Sequence, residues 1–364
     1  MKIGIISMQR VPNYGSFLQA MGLKSLLEKM GHEVVFIDYK PGLPVVPYSK
    51  GDLISYYVGS EPVIAWCRDW FRYNIQGKRK FVYAYRFKYL KQLGITYRHN
   101  YNEKVDVAII GSDEVFNCLQ KGPNVGFSPM LFGDGVSAKK VISYAASFGY
   151  TDISGLEKYG IKEKVKQYLT DFASLSVRDQ HSLETVFELT GIEPEVNLDP
   201  VLMADYSLPK KVLPYKDYVV LYTYKTRKYT NDEMETIKAF CEKRQKKLVS
   251  IGNSQPWVEN KVLVEPLEML AYIRNADFII TDTFHGTVFS IKYNKKFATL
   301  VRPDNTNKLY DLLNRLKKKD RIIKTFGELD EVFDRPVDYA ETNSIIEAEK
   351  KHTRQYLENA IRVD

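Results

Sequence analysis

Short, uninterrupted apolar runs recur along the chain, each followed by a turn and then by apolar residues at helical spacing. Lys2 to Ser7 is the first run; Ser16 to Met30 follows at helical spacing, Gly31 stops it, and Val34 to Asp38 is apolar again, which spells one strand–helix–strand unit. Val105 to Ile110, Val141 to Phe148, Ser174 to Val177 and Val196 to Leu198 continue the series. Helices fall near Leu156 to Phe172 and from His181 to Leu189, the latter closed by Gly191. Because the runs do not alternate strictly, both faces of each strand must be covered. That is the situation of a parallel sheet with helices on either side.

The pattern restarts after Leu208 to Asp217, a polar connection containing Pro and Lys, as it would across a domain boundary. Tyr218 to Tyr224, Lys247 to Ile251, Phe278 to Thr281 and Phe297 to Val301 read as strands of this second half. Asn231 to Lys246, Pro266 to Asn275, Gly286 to Tyr293 and Leu309 to Leu316 read as its helices. The expectation is an α/β chain of two Rossmann-like domains, 1–205 and 206–343, facing a cleft. A helical insertion at about 48–101 interrupts the first, and a C-terminal helix at 344–364 is placed to pack back on it. In open parallel sheets ligands bind where the carboxyl ends of strands meet helix starts, so the chemistry is expected to face that cleft.

A length of 364 residues lets each half bury its own core and excludes a disulfide-held mini-protein. The 44% hydrophobic and 27% charged residues exclude wholesale disorder. The 53 Lys and Arg against 45 Asp and Glu leave +8, which suits an anionic ligand, an anionic membrane surface or nucleic acid. Nucleic acid ranks last, since no recognised binding motif accompanies the charge. Cys67, Cys118 and Cys241 lack C-x-x-C spacing, so no structural zinc or disulfide framework is expected. With no run long enough to span a membrane and a start too brief for a signal-peptide core, a cytoplasmic chain is expected.

The most informative short segment is Thr281-Asp282-Thr283-Phe284-His285-Gly286-Thr287, which follows a very apolar strand and opens a helix. Backbone N–H groups in such a first turn, with the helix dipole, attract anions. Asp282 or Thr283 can cap, Gly286 admits close ligand approach, and His285 stands where it could donate a proton to a bound phosphate or carboxylate. The plain alternative is a helix-start histidine with no ligand. Ser176-Val177-Arg178-Asp179 ends another strand, where Arg178 could clasp an anion with two parallel hydrogen bonds or simply pair with an acid; spacing alone favours the pairing. Gly111-Ser112-Asp113 is either a ligand loop or a turn. Asn13-Tyr14-Gly15-Ser16 offers a glycine and a capping serine without the G-x-G-x-x-G of dinucleotide sites, and Walker, G-x-S-x-G and H-E-x-x-H motifs are absent from the sequence.

From Glu61 to Asn100 the basic residues Arg68, Arg72, Lys78, Arg79, Lys80, Arg86, Lys88, Lys91 and Arg98 face only Glu61 and Asp69, interleaved with aromatics. The segment reads as a solvated helical face over an ordinary aromatic core. The sharper alternatives are a peripheral contact with an anionic leaflet through Trp66, Trp70 and Phe71, or stacking on nucleic acid.

Taken in order, Asn13-Tyr14-Gly15 with Gln19, Gly111-Ser112-Asp113, Ser176-Val177-Arg178-Asp179, Asp199-Pro200 and Thr283-Phe284-His285-Gly286 resemble the polysaccharide pyruvyl transferase family over about residues 1–315. The resemblance implies an architecture similar to the GT-B glycosyltransferases. It also implies transfer of the enolpyruvyl unit of phosphoenolpyruvate onto two hydroxyls of a sugar, free or lipid-linked, with phosphate released and no cofactor beyond the donor. It places the essential His on His285 and the family's Arg on Arg178. A later basic residue falls on Lys308, with Arg302 as competitor. Gly286, Thr287, Thr283, Ser112, Asn13, Tyr14 and Gly15 join the substrate-binding set, and Asp113 is a candidate base. Phe116 stands where the family commonly carries Trp, so the loop after Ser112 is expected to suit a different acceptor. Two rivals remain: a glycosyltransferase of similar architecture using a nucleotide sugar, and a non-catalytic module of a glycan assembly complex at the inner face of a membrane.

Overall fold

The computed structural model describes residues 1–51, 53, 62–75, 80–121, 125–252, 254–302 and 305–363, without the side chains of 62, 63, 65 and 66. Glu61, Lys78, Arg79 and the Trp66 side chain therefore lie outside the described residues. The chain forms two compact units, Met1–Ala204 with Glu349–Asp364, and Asp205–Ala348.

Unit 1 holds a six-stranded sheet: β1 (Lys2–Ile6), β2 (Glu33–Phe36), β3 (Val105–Asp113), β4 (Ala138–Ala146), β5 (Ser176–Val177) and β6 (Glu195–Val196). They lie in the order β2-β1-β3-β4-β5-β6. Every pairing is parallel, with Ile5 opposite Ile109 and Ile110 opposite Ser143. Ile3, Ile5, Val107 and Ile109 are fully buried, as strands covered on both faces require. The helix α1 (Tyr14–Lys29) is capped by Asn13, whose side chain accepts from the Gly15 N–H, and Gly31, at φ +86°, lies beyond its end. The order reverses between β1 and β3, and Ser7 Oγ bridges that point by donating to the Ser112 carbonyl at 2.8 Å.

Unit 2 repeats the plan with β7 (Tyr218–Tyr222), β8 (Lys247–Ile251), β9 (Asn260–Val262), β10 (Phe278–Thr281), β11 (Phe297–Leu300) and β12 (Ile322–Ile323). Its order, β12-β11-β10-β7-β8-β9, is again wholly parallel. Renumbered from β7, this is the order of the dinucleotide-binding fold, with the reversal between β7 and β10. The helix α2 (Asn231–Lys243) opens with a reciprocal capping box of Thr230 and Glu233, and α3 (Pro266–Asn275) opens with Pro266. The edge strands β9 and β12 do not stand out in the sequence, because three residues of mixed polarity and a bare pair of isoleucines carry no period.

Two segments depart from the expected helices. The stretch near Leu156 to Phe172 is two helices, Ile153–Lys158 and Lys162–Thr170, separated around Gly160 at φ +67°. The helical insertion departs from a regular helix within its described residues: besides Pro62–Asn74 it contains Lys80–Ala84, which runs on through a π-wound turn, Tyr85–Tyr89, to Leu90–Gln92. The second piece faces α1: Tyr14 meets Phe81 edge-on at 5.0 Å and Phe17 meets Tyr85 at 6.1 Å. The Tyr85 hydroxyl donates to the Gln9 carbonyl at 2.8 Å. At the C-terminus, residues 349–364 group with unit 1: Tyr356 donates to the Ser143 carbonyl at 2.7 Å and Thr353 to Asn197 at 3.0 Å.

Beside the insertion, burial pushes the His99 imidazole down from its ordinary 6.5 to about 4; Arg10 adds to the shift and Asp38 opposes it. A histidine held neutral in the fold but protonated in the unfolded chain supports the fold above pH 6.5, and that support is lost as pH falls through 6.5 towards about 4. Urea midpoints across this range should therefore fall less steeply for His99→Gln than for the wild type; parallel slopes would contradict the assignment.

Candidate functional site

In unit 2 the switch point between β7 and β10 is closed by one carboxylate. Asp282, fully buried just after β10, accepts from Thr223 Oγ1 at 2.6 Å through Oδ1. Its Oδ2 faces Arg227 Nε at 3.0 Å and Arg302 Nε at 2.9 Å. Thr223 follows β7 and Arg302 follows β11, so three adjacent strands deliver these groups to their carboxyl ends. Buried Gln255 holds the Arg227 loop by donating to the carbonyls of Tyr224 and Arg227 at 2.7 and 3.2 Å. Asn305 fixes Arg302, accepting its backbone N–H at 3.0 Å while donating to the Asp282 carbonyl at 2.7 Å. The Arg302 guanidinium lies 5.4 Å from the Tyr229 ring centroid, and Glu233 stands 3.6 Å away at the rim. Burial, chiefly, and the nearby Asp282 charge push the Tyr229 hydroxyl well above its ordinary range.

The helix α4 (Phe284–Lys292) starts from this point. Thr283 caps it, accepting from the Gly286 N–H at 3.0 Å, so of the two expected caps it is Thr283 that serves while Asp282 holds the arginines. His285 is buried, with the rings of Phe284 and Phe289 centred 5.4 and 6.0 Å away. Two expectations are corrected. The Gly286 and Thr287 N–H groups are not open to an anion, because the first donates to Thr283 Oγ1 and the second to the Thr283 carbonyl at 3.2 Å. The Thr287 hydroxyl, fully buried, bonds to the Thr283 carbonyl and to Thr299 Oγ1. Glycine at 286 answers to packing: a Cβ there would stand 2.1 Å from Thr281 Oγ1 and 2.8 Å from Tyr222 Cδ1. Of the two candidate later cations, Arg302 joins Asp282, whereas half-buried Lys308 lies within a helix, Thr306–Arg315.

In unit 1 the carboxyl ends of β3 to β5 gather acids around one arginine. Arg178, buried, donates through Nη1 to Asp199 at 2.9 Å, with Asp113 at 3.8 Å. Burial alone would lower the pKa of this guanidinium, but Asp199, Asp113, Asp179 and Glu114 around it carry it above its ordinary value. The geometry is that of pairing with acids, not of an anion clasp. Asp179 caps the helix Gln180–Thr190 by accepting from Ser182 N–H, and it also accepts from Ser147 Oγ at 2.6 Å. Asp113 is partly open to solvent, 14% exposed, as is Glu114, and it accepts from Ser16 Oγ at 2.8 Å. Its φ of +81° and that of Ala145, +46°, are conformations non-glycine residues seldom adopt, and such strain concentrates at functional edges.

Other expected ligand contacts in this unit are spent on the fold. The Ser112 hydroxyl donates to the Ala145 carbonyl at 2.9 Å, Asn13 and Gly15 form the cap of α1, and the Tyr14 ring packs against Phe81 and Tyr89. Phe116 is fully buried among Phe132, Phe148 and Phe172 at 5.0 to 5.7 Å, so its exchange for Trp bears on the packing beneath the loop. Arg227 escaped the sequence reading because it sits in a loop without a motif. Among the described residues no group of three His, Cys, Asp or Glu is placed to hold a metal ion, and no helix is long and apolar enough to cross a membrane.

Two Rossmann-like sheets, each with chemistry at the carboxyl ends of its strands, define an α/β protein of the GT-B class. The profile of the family described as Polysaccharide pyruvyl transferase matches residues 13–305. The chain belongs to that family and is a transferase. Among solved structures it is similar to the glycotransferase of kitacinnamycin, with 12% identity over 99% of each chain and a TM-score of 0.50. It is similar too to the UDP-GlcNAc 2-epimerase from Methanocaldococcus jannaschii, with 12% identity over 98% of this chain and 100% of that one and a TM-score of 0.49. The first is a likeness of fold alone. No curated protein matches the chain.

Replacing Asp282 by Asn should cost on the order of 2–4 kcal/mol in chemical denaturation, because two guanidiniums lose the charge between them. Glu233→Gln, at the rim, should cost under about 1 kcal/mol. Equal costs would show that Asp282 does not organise this edge.

Proposed function

We propose that this transferase moves the pyruvyl unit of phosphoenolpyruvate onto two hydroxyls of a sugar in a cell-surface polysaccharide or its lipid-linked precursor, giving a cyclic ketal and phosphate. The observation that carries the reading is the pairing, at one switch point of unit 2, of cations on a buried carboxylate with the helix start that bears His285. The donor is a small trianionic ester; guanidiniums held in a fixed fork suit its phosphate and carboxylate. Arg302 and Arg227 take this part, with Lys308 as an outer cation, and Arg178 is reassigned to holding Asp113 and Asp199 in place.

In this reading His285 gives a proton to the methylene carbon, generating an oxocarbenium-like centre that one sugar hydroxyl attacks. That hydroxyl's proton goes to the departing phosphate. The carbon–oxygen bond to phosphate then breaks, the arginines stabilise the departing charge, and the second hydroxyl closes the ring as its proton returns to His285. The reaction needs no cofactor beyond its donor.

A nucleotide-sugar glycosyltransferase is the second reading, favoured by one observation: unit 2 has the strand order of dinucleotide-binding folds. Thermal shifts separate the two, since a ligand present at a hundred times its dissociation constant stabilises by about 2.7 kcal/mol. Stabilisation by a nucleotide sugar and not by phosphoenolpyruvate would replace the first reading with the second.

Incubation with phosphoenolpyruvate and candidate glycans should release phosphate and add the pyruvyl mass to one glycan. His285→Ala should abolish both while keeping the wild-type circular dichroism, with a lowered melting temperature from the cavity left between Phe284 and Phe289. Normal turnover by the folded variant would remove His285 from the chemistry.

A further inference from the structure

The helix Pro62–Asn74 is turned against the usual sense of an amphipathic helix. Its one acid, Asp69, is fully buried and faces inward, paired with Arg68 at 3.1 Å and with Arg86 from the next helical segment. On the same inner side Tyr73 stacks on Tyr83, with ring centroids 4.0 Å apart and 9° between planes. The outward side carries Ile64, Cys67, Phe71 and, just past the end, Ile75, at intervals of three or four residues, which at 100° per residue is a single stripe. Ile64 is 51% exposed, Phe71 48% and Ile75 63%, with Trp70 at 43% beside them. An ordinary surface helix buries such residues and exposes its acids.

The flank of the stripe is cationic. Arg68 and Arg72 lie within one helical turn of it, and Lys80, Lys88, Lys91 and Arg98 are exposed further along the same insertion. Between residues 61 and 100 the sequence holds nine Lys and Arg against two acids, Glu61 and the inward Asp69. Apolar side chains pointing out, with cations at their rim and the helix's own acid withdrawn beneath, match the layering of an anionic lipid leaflet, in which acyl chains lie below negatively charged headgroups. A second copy of this chain would bring like charge against like charge.

We propose that the outward face of the helix Pro62–Asn74 docks this protein on an anionic lipid surface, with Ile64, Phe71, Ile75 and Trp70 in the headgroup–acyl boundary and Arg72 and the neighbouring lysines on the headgroups. This goes beyond the pyruvyl-transfer reading and stands without it, because no residue of the docking face takes part in the donor chemistry.

Cys67 supplies a reporter, since Cys118 and Cys241 are buried while Cys67 is exposed on the stripe itself. A polarity-sensitive fluorophore attached there should brighten and shift to the blue with vesicles of phosphatidylcholine and phosphatidylglycerol, and not with phosphatidylcholine alone. The signal should weaken as salt rises. In cosedimentation of the unlabelled protein, Phe71→Ser with Ile75→Ser should lower vesicle affinity on the order of tenfold or more, and Arg72→Glu roughly fivefold or more. Phe71 and Ile75 are exposed and Arg72 is half-buried, and none of the three belongs to the donor site, so melting temperatures of the folded variants should stay close to that of the wild type and phosphate release should match it. Equal binding to neutral and anionic vesicles, undiminished binding by the double variant, or no binding at all would overturn the proposal. So would a concentration-dependent dimer that the double variant abolishes in the absence of lipid.

Discussion

The carboxylate of Asp282 is the group on which unit 2 turns. A charge withdrawn this completely from water is tolerable only when its lone pairs are filled and its sign is balanced, and Thr223, Arg227 and Arg302 do both. The four residues come from the carboxyl ends of β7, β10 and β11, so the interaction ties together the strands on either side of the point where the sheet order reverses. It also leaves two guanidiniums fixed at the start of the helix that carries His285. The same contact that closes the sheet thus holds both guanidiniums in place.

Unit 1 solves the corresponding problem with opposite sign. There one buried cation, Arg178, is ringed by Asp113, Asp179, Asp199 and Glu114, and the edge it organises is rich in acceptors. Carboxylates and serine hydroxyls are groups that recognise sugar hydroxyls, while guanidiniums recognise phosphate and carboxylate. The two edges thus differ in chemistry: that of unit 1 is rich in acceptors, and that of unit 2 carries two guanidiniums.

Much of this was legible in the sequence and some of it was not. The parallel sheets were readable because runs such as Val105 to Ile110 and Phe278 to Thr281 are apolar on both faces, and Gly191 marked a helix end by its own chemistry. The two-residue strands β5 and β6 fall in apolar runs the sequence shows, whereas the edge strands β9 and β12 escaped, since a period cannot be read from so few positions. The packing need at Gly286 is not legible in the sequence, because the Thr281 and Tyr222 atoms that leave no room for a Cβ meet it only in the fold. Arg178 was ambiguous because spacing cannot say whether a guanidinium meets a ligand or a distant acid, and Asp199 lies 21 positions away. Arg227 was invisible for a similar reason, its significance coming only from a carboxylate placed by another strand.

The central claim is that phosphoenolpyruvate binds at the carboxyl ends of β7, β10 and β11. A crystal structure of the protein with that ester tests it most directly. The account predicts the ester's phosphate or carboxylate within hydrogen-bond reach of Arg302 or Arg227, with its methylene carbon facing His285. Well-defined ester bound elsewhere, with the Arg227–Asp282–Arg302 cluster and His285 untouched, would contradict it.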